Sequence, residues 1–282
     1  AAPVVTGETV EAVMRVELAH GDALVGTIAP ILRHLLANDE HSVFSDEIIA
    51  RVRGMLSDLA VQLLDAQAEA AGVPEARDHA QDLVEALVGG FVGHAGFLAH
   101  VHALALEWQL TERLQARLAV DPVLSPLLQA LIASSDAPTA ATAVALLAAQ
   151  ARFAQAQRRM QLPICELPGD LVHAALLTLR GFAAEDEVSQ AAAAGAEAAI
   201  RARYDESRNR LGLMTRLVAG MGGGASAALS VTHAGAGLFL TALGLASGQD
   251  RDMAILATNE GQLARLALAL RASGLKHAAI EE

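Results

Sequence analysis

The sequence predicts an all-α protein, an N-terminal helical bundle over residues 1–162 followed, past a short link at 163–168, by stacked helical hairpins over 169–282. Three observations carry that expectation. Apolar residues recur at helical spacing along nearly the whole chain, no convincing alternating run of β-branched residues is present, and alanine, the best helix former, is abundant on apolar and polar faces alike.

Each element has its own chemical signals. Thr6 to His20 carries Val10, Val13, Met14 and Leu18 and is expected to stop at Gly21, with a second helix over Asp22 to Ala37 kinked or started late by Pro30. Ser45 can cap a helix whose first turn holds Asp46 and Glu47; Ile48, Val52, Leu56, Leu59 and Leu63 line one face, and Gly72 with Pro74 ends it. Pro74 to Val88 is expected to end at Gly89-Gly90, and Phe91 to Ala119 to form one long or two abutting helices. Asp121-Pro122 then opens the next. Ser134-Ser135-Asp136 breaks the chain before a long Ala-rich helix over Ala140 to Gln161. Two prolines within Pro163 to Pro168 exclude regular helix there, which makes this stretch the expected boundary between halves. Asp170 to Ala183 and Glu185 to Ala219 read as helices, the second with a break near Gly212, and two shorter helices flank Thr232 to Gly235.

Near the end, LTALGLASG from Leu240 and LALALRASG from Leu266 form a weak 26-residue echo, the sort of spacing from which stacked helical pairs are built. The run from Gly237 to Leu275 resembles the C-terminal pattern of an alphaproteobacterial domain-of-unknown-function family (number 2336). The matching features are Phe239-Leu240, Ala246-Ser247-Gly248, Arg251-Asp252 and Leu266 to Leu275. The resemblance implies HEAT-like helical repeats and brings no known activity.

Composition narrows the function classes. The chain has 282 residues, 53% of them hydrophobic, 18% charged and 3% aromatic. With 32 acidic against 20 basic residues its net charge is −12, which opposes phosphate backbones and anionic lipid headgroups. One Tyr and one Trp leave little for base stacking, so no nucleic-acid partner is expected. Cys165, the lone cysteine, permits no internal disulfide and points to a reducing, cytoplasmic compartment. Mean hydropathy of +0.37 raises the membrane question. Ala86 to Leu106 and Leu217 to Gln249 both lack Asp, Glu, Lys and Arg, yet glycines and histidines interrupt them, so buried helices and no membrane are expected. No basic-then-apolar segment opens the sequence, which starts at Ala1 rather than Met and so leaves a removed leader open.

Few groupings could carry chemistry. A carboxylate precedes a histidine by three residues twice, Glu17 with His20 and Asp170 with His173, the spacing that di-iron bundles use; this is the alternative reading, with a divalent metal as cofactor. His100 and Glu107, seven apart, share a helix face and mark a candidate ligand pocket, with His94 and His102 nearby. Gly220 to Ala225 spells G-x-G-x-x-A, but a charged helix precedes it and no acid follows at the right distance, so a linker is expected instead of a dinucleotide site. Glu166 beside Cys165 raises the thiol pKa, the wrong direction for a nucleophile.

The remaining feature is a basic island of Arg201, Arg203, Arg208, Arg210 and Arg216 in an acidic protein. Glu197–Arg201 and Glu206–Arg210 are spaced as helix pairs, and the unmatched arginines could meet an acidic patch on a protein partner or on a second copy of the chain. The sequence therefore points to a non-enzymatic scaffold or regulatory interaction module with no catalytic residues and no cofactor. Its alternative is a helical bundle that binds metal or a small ligand.

Overall fold

The computed structural model describes residues 10–37, 46–73, 80–259, 262–276 and 280. Among them the chain is all-α: α1 (Val10–Ala37), α2 (Asp46–Ala70), α3 (Gln81–Gly93), α4 (Ala95–Leu118), α5 (Pro126–Ile132), α6 (Ala137–Arg158), α7 (Gly169–Phe182), α8 (Glu187–Arg203), α9 (Arg210–Gly220), α10 (Val231–Ser247), α11 (Arg251–Leu256) and α12 (Leu263–Ala272). Short 3-10 turns lie between them at Ile164–Glu166, Ala183–Glu185, Glu206–Arg208 and Gly222–Leu229.

Helix ends follow local chemistry. Ser125, Asp136, Asp186 and Asn209 each turn a side-chain oxygen onto a first-turn amide of the helix they precede, satisfying donors that have no partner inside the helix. Several expected boundaries move. Gly21 does not divide α1, which runs through it; its carbonyl accepts a hydrogen bond from Gln262 Nε2 at 3.0 Å, so it marks a contact instead of a stop. The Gly89-Gly90 pair lies inside α3, where the missing side chain at Gly90 makes room for Thr178. The helix after Asp121-Pro122 starts at Pro126, because Asp121 spends its carboxylate on the amides of Val123 and Leu124. Glu185 to Ala219 is two helices, α8 and α9, separated at 204–209. Ser45 and Pro74 lie outside the described residues, as do residues 1–9.

Two apolar cores form, and they do not divide at 163–168. The first draws on α2, α3, α7 and α8 with Phe97, Leu98, Val101 and Trp108 of α4 and Phe153 of α6. The second draws on α5 and α9 to α12 with Ala103 and Leu114 of α4 and Ala143, Leu146 and Ala149 of α6. Both long helices, α4 and α6, serve the two cores: α6 at opposite ends, α4 on different faces, since Ala103 of the second core sits between Val101 and Leu104 of the first. The segment 163–168 is fastened instead of acting as a hinge: Leu167 is buried, and beside it Leu162 and Ile164 bond through their amides to Asp58 and Gln62 of α2 at 2.9 and 3.0 Å. Each core draws on residues from both sides of that segment, 1–162 and 169–282.

The stacked-hairpin arrangement is not confirmed. In a solenoid each repeat touches only its neighbours in sequence, whereas here α2 packs on α8, α6 on α9, α10 on α4 and α5, and α1 on α12. No single helix among the described residues is long and apolar enough to cross a membrane. The two charge-free runs fall on helix pairs bent by 95° and 113°, the first at His94 and the second at Ser230.

Candidate functional site

Where the two cores meet on α4, Glu107 is fully buried. Its two carboxylate oxygens are engaged by Arg210, the first residue of α9, and by Arg251, which opens α11 and approaches at 2.8 and 3.0 Å. Arg210 is itself 2% exposed; its Nε donates to Gln150 Oε1 at 2.6 Å, and its guanidinium lies over the Phe153 ring at 3.6 Å. Arg251 Nε donates to the Thr241 hydroxyl at 3.0 Å. Burial pushes the Glu107 carboxyl up, and the guanidiniums of Arg210 and Arg251 more than reverse this, holding it down at about 2. Three helices distant in sequence are thus joined at one carboxylate.

The local reason lies in one cap and two glycines. Asn209 accepts from the Gly212 amide at 2.7 Å and starts α9, so Arg210 turns inward while Glu206 turns instead to the Gly169 amide at 3.2 Å. Gly237 of α10 lets that helix lie against the cluster: a methyl group there would sit 2.8 Å from Arg210 Nη2 and 3.0 Å from the Met214 sulfur. Just before it, Gly235 takes φ +72° and kinks α10, a conformation that suits glycine.

Five residues before Glu107 on α4, His102 is buried, and desolvation lowers its pKa to about 4, which keeps the ring neutral near pH 7. His100 is also buried; its Nδ1 lies 3.5 Å from Asp252 Oδ2, and its Nε2 has no hydrogen-bond partner among the described residues. Both histidines and Arg251 line a cleft of about 520 Å³. Its walls are apolar, from Val25, Ile28 and Ala29 of α1, Leu171 of α7, and Met253 and Leu256 of α11; Asp170, Asp250 and Asp252 also line it.

The expected pocket pair thus divides. His100 lines the cleft, while Glu107 lies behind it, consumed by arginines. Glu17 and His20 are exposed on α1, Asp170 and His173 are exposed on α7, and His173 Nδ1 meets Arg201 Nη2 at 2.9 Å. The two carboxylate–histidine pairs do not converge: among the described residues no group of three or more His, Cys, Asp or Glu is placed to hold a metal ion. Gly220 ends a helix, not a strand, and Gly222 to Gly224 open a 3-10 run. Cys165 is exposed, yet partial burial of its thiol, with Glu166 next, pushes its pKa up.

The basic island is dispersed. Arg210 leaves it for the interior, so the Glu206–Arg210 helix pair does not form. Arg201 does pair with Glu197, at 2.8 Å; Arg203 approaches Glu69 at 4.0 Å; Arg216 donates to the Ser207 carbonyl; and Arg208 faces Asp205 electrostatically. Sequence reasoning missed Arg251 and the rim acids Asp250 and Asp252. The cue available was Asp250-Arg251-Asp252, a dense charge cluster just after Gly248, where a helix begins.

Comparison with protein-family profiles, curated proteins and solved structures found no match.

Proposed function

We propose that this chain is a non-enzymatic interaction module that receives its partner in the cleft between α1, α4, α7 and α11. The observation that supports this most is the contrast between the two features beside α4. The buried ionic cluster has its carboxylate and both guanidiniums bonded to one another or to Gln150 and Thr241, so no acid, base or nucleophile there is free to act on a substrate. The cleft beside it leaves apolar wall uncovered, and a concave apolar surface with a few polar groups is where binding concentrates.

Ala99 is exposed and lines the cleft, so Ala99→Trp fills it without disturbing either core. The neutral probe N-phenyl-1-naphthylamine should fluoresce on binding the native protein and lose most of that signal with Ala99→Trp, while Arg203→Glu leaves it intact. Equal fluorescence from native protein and Ala99→Trp would remove the cleft from the proposal.

A further inference from the structure

Among the described residues the side-chain carboxylates of Asp170 and Asp250 have no hydrogen-bond or ion-pair partner, although both residues line the cleft. Asp250 occupies the residue before α11, where an aspartate ordinarily accepts a first-turn amide, yet its side chain makes no such bond. Among the described residues the Asp252 carboxylate is paired with His100 alone, at 3.5 Å. Arg251 is the strong cation in this lining, and it is committed to Glu107; His102 is neutral. The cleft therefore presents apolar walls and two uncompensated carboxylates carried on separate elements, the first turn of α7 and the start of α11, within a chain of net charge −12.

We infer that the occupant is a basic amphipathic helix of a partner protein, aliphatic side chains against Val25, Ile28, Met253 and Leu256 and lysines or arginines over Asp170 and Asp250. Two separated carboxylates ask for two cations on one apolar body, which a helix supplies at positions three or four residues apart. Charge complementarity of this kind steers association and rejects acidic competitors.

The inference rests on the cleft reading, and the test separates the two. Titration calorimetry of the full chain would use a synthetic helix of about 14 residues, four turns, built from leucine and lysine. A glutamate-for-lysine version and n-octylammonium serve as comparisons. The lysine peptide should bind, the glutamate peptide should not, and Asp170→Asn with Asp250→Asn should weaken binding about tenfold. The distant pair Glu112→Gln with Glu187→Gln changes net charge equally, from −12 to −10, and should leave the affinity within about twofold.

Equal loss from both pairs would reduce the effect to overall charge and overturn the inference. So would binding of n-octylammonium without the peptide, which would make the occupant a small cation, or equal binding of the glutamate peptide. If the neutral probe is displaced by Ala99→Trp but no lysine peptide binds, the cleft stands and the basic partner falls. If neither result appears, both fall.

Discussion

Glu107 compensates two buried guanidiniums, and removing its charge would leave both inside the protein without a counterion. Breaking a buried ion pair from one side costs on the order of 3–5 kcal/mol, so Glu107→Gln is expected to lower the urea midpoint by that amount of stability. A loss below about 1 kcal/mol would show that the cluster is no fastener. His102 carries the pH dependence. Its folded pKa of about 4 lies below the ordinary 6.5, so between those values the unfolded chain binds the extra proton. Stability is then complete above pH 6.5 and falls as pH drops toward 4, by up to about 3 kcal/mol. His102→Leu should flatten that slope in pH-dependent urea melts; an unchanged slope would assign it elsewhere. At this scale the sequence was partly legible. His100 and Glu107 stood out by their shared helix face and are both buried, but the partners of Glu107 lie 103 and 144 residues away, beyond any local pattern. Arg210 was misread because Glu206, four residues earlier, offered a nearer partner; Asn209, as a cap, was the overlooked signal that a new helix begins there.

Helices were the most legible level, since their spacing and caps are written within a few residues. Asp46–Ala70 and the ends of α10 and α12 near Gly248 and Gly274 fall close to where the pattern puts them, both glycines at positive φ. Glycines inside apolar runs were the main source of error, because a glycine that admits a neighbour looks in sequence like a glycine that ends a helix. Gly21 and Gly90 serve packing, and Gly237 does so most strictly. Gly237→Ala should force α10 away from Arg210 and Met214 at a cost of roughly 1–3 kcal/mol. Thermal melting is the check, and an unchanged midpoint would mean that α10 yields without loss.

At the level of the whole molecule, the order of helices was readable but their partners were not. Pro163 to Pro168 looked like a boundary because prolines end helices, yet the segment is bonded to α2 and both cores draw on α4 and α6. Tertiary pairing of α2 with α8 or α6 with α9 leaves no local trace. The same long-range closure makes the cleft, since its walls come from α1, α4, α7 and α11. The Asp22–Arg265 ion pair and the Gln262–Gly21 bond hold α1 against the C-terminal helices beside it.

Hydrogen–deuterium exchange of the full chain with the leucine–lysine peptide would test the central claim most directly. Protection is expected at residues 25–29 of α1, the first turn of α7 and α11, with α8 and the arginines at 201–208 unchanged. Protection centred on α8 and α9 instead, or none at α1 and α11, would contradict it.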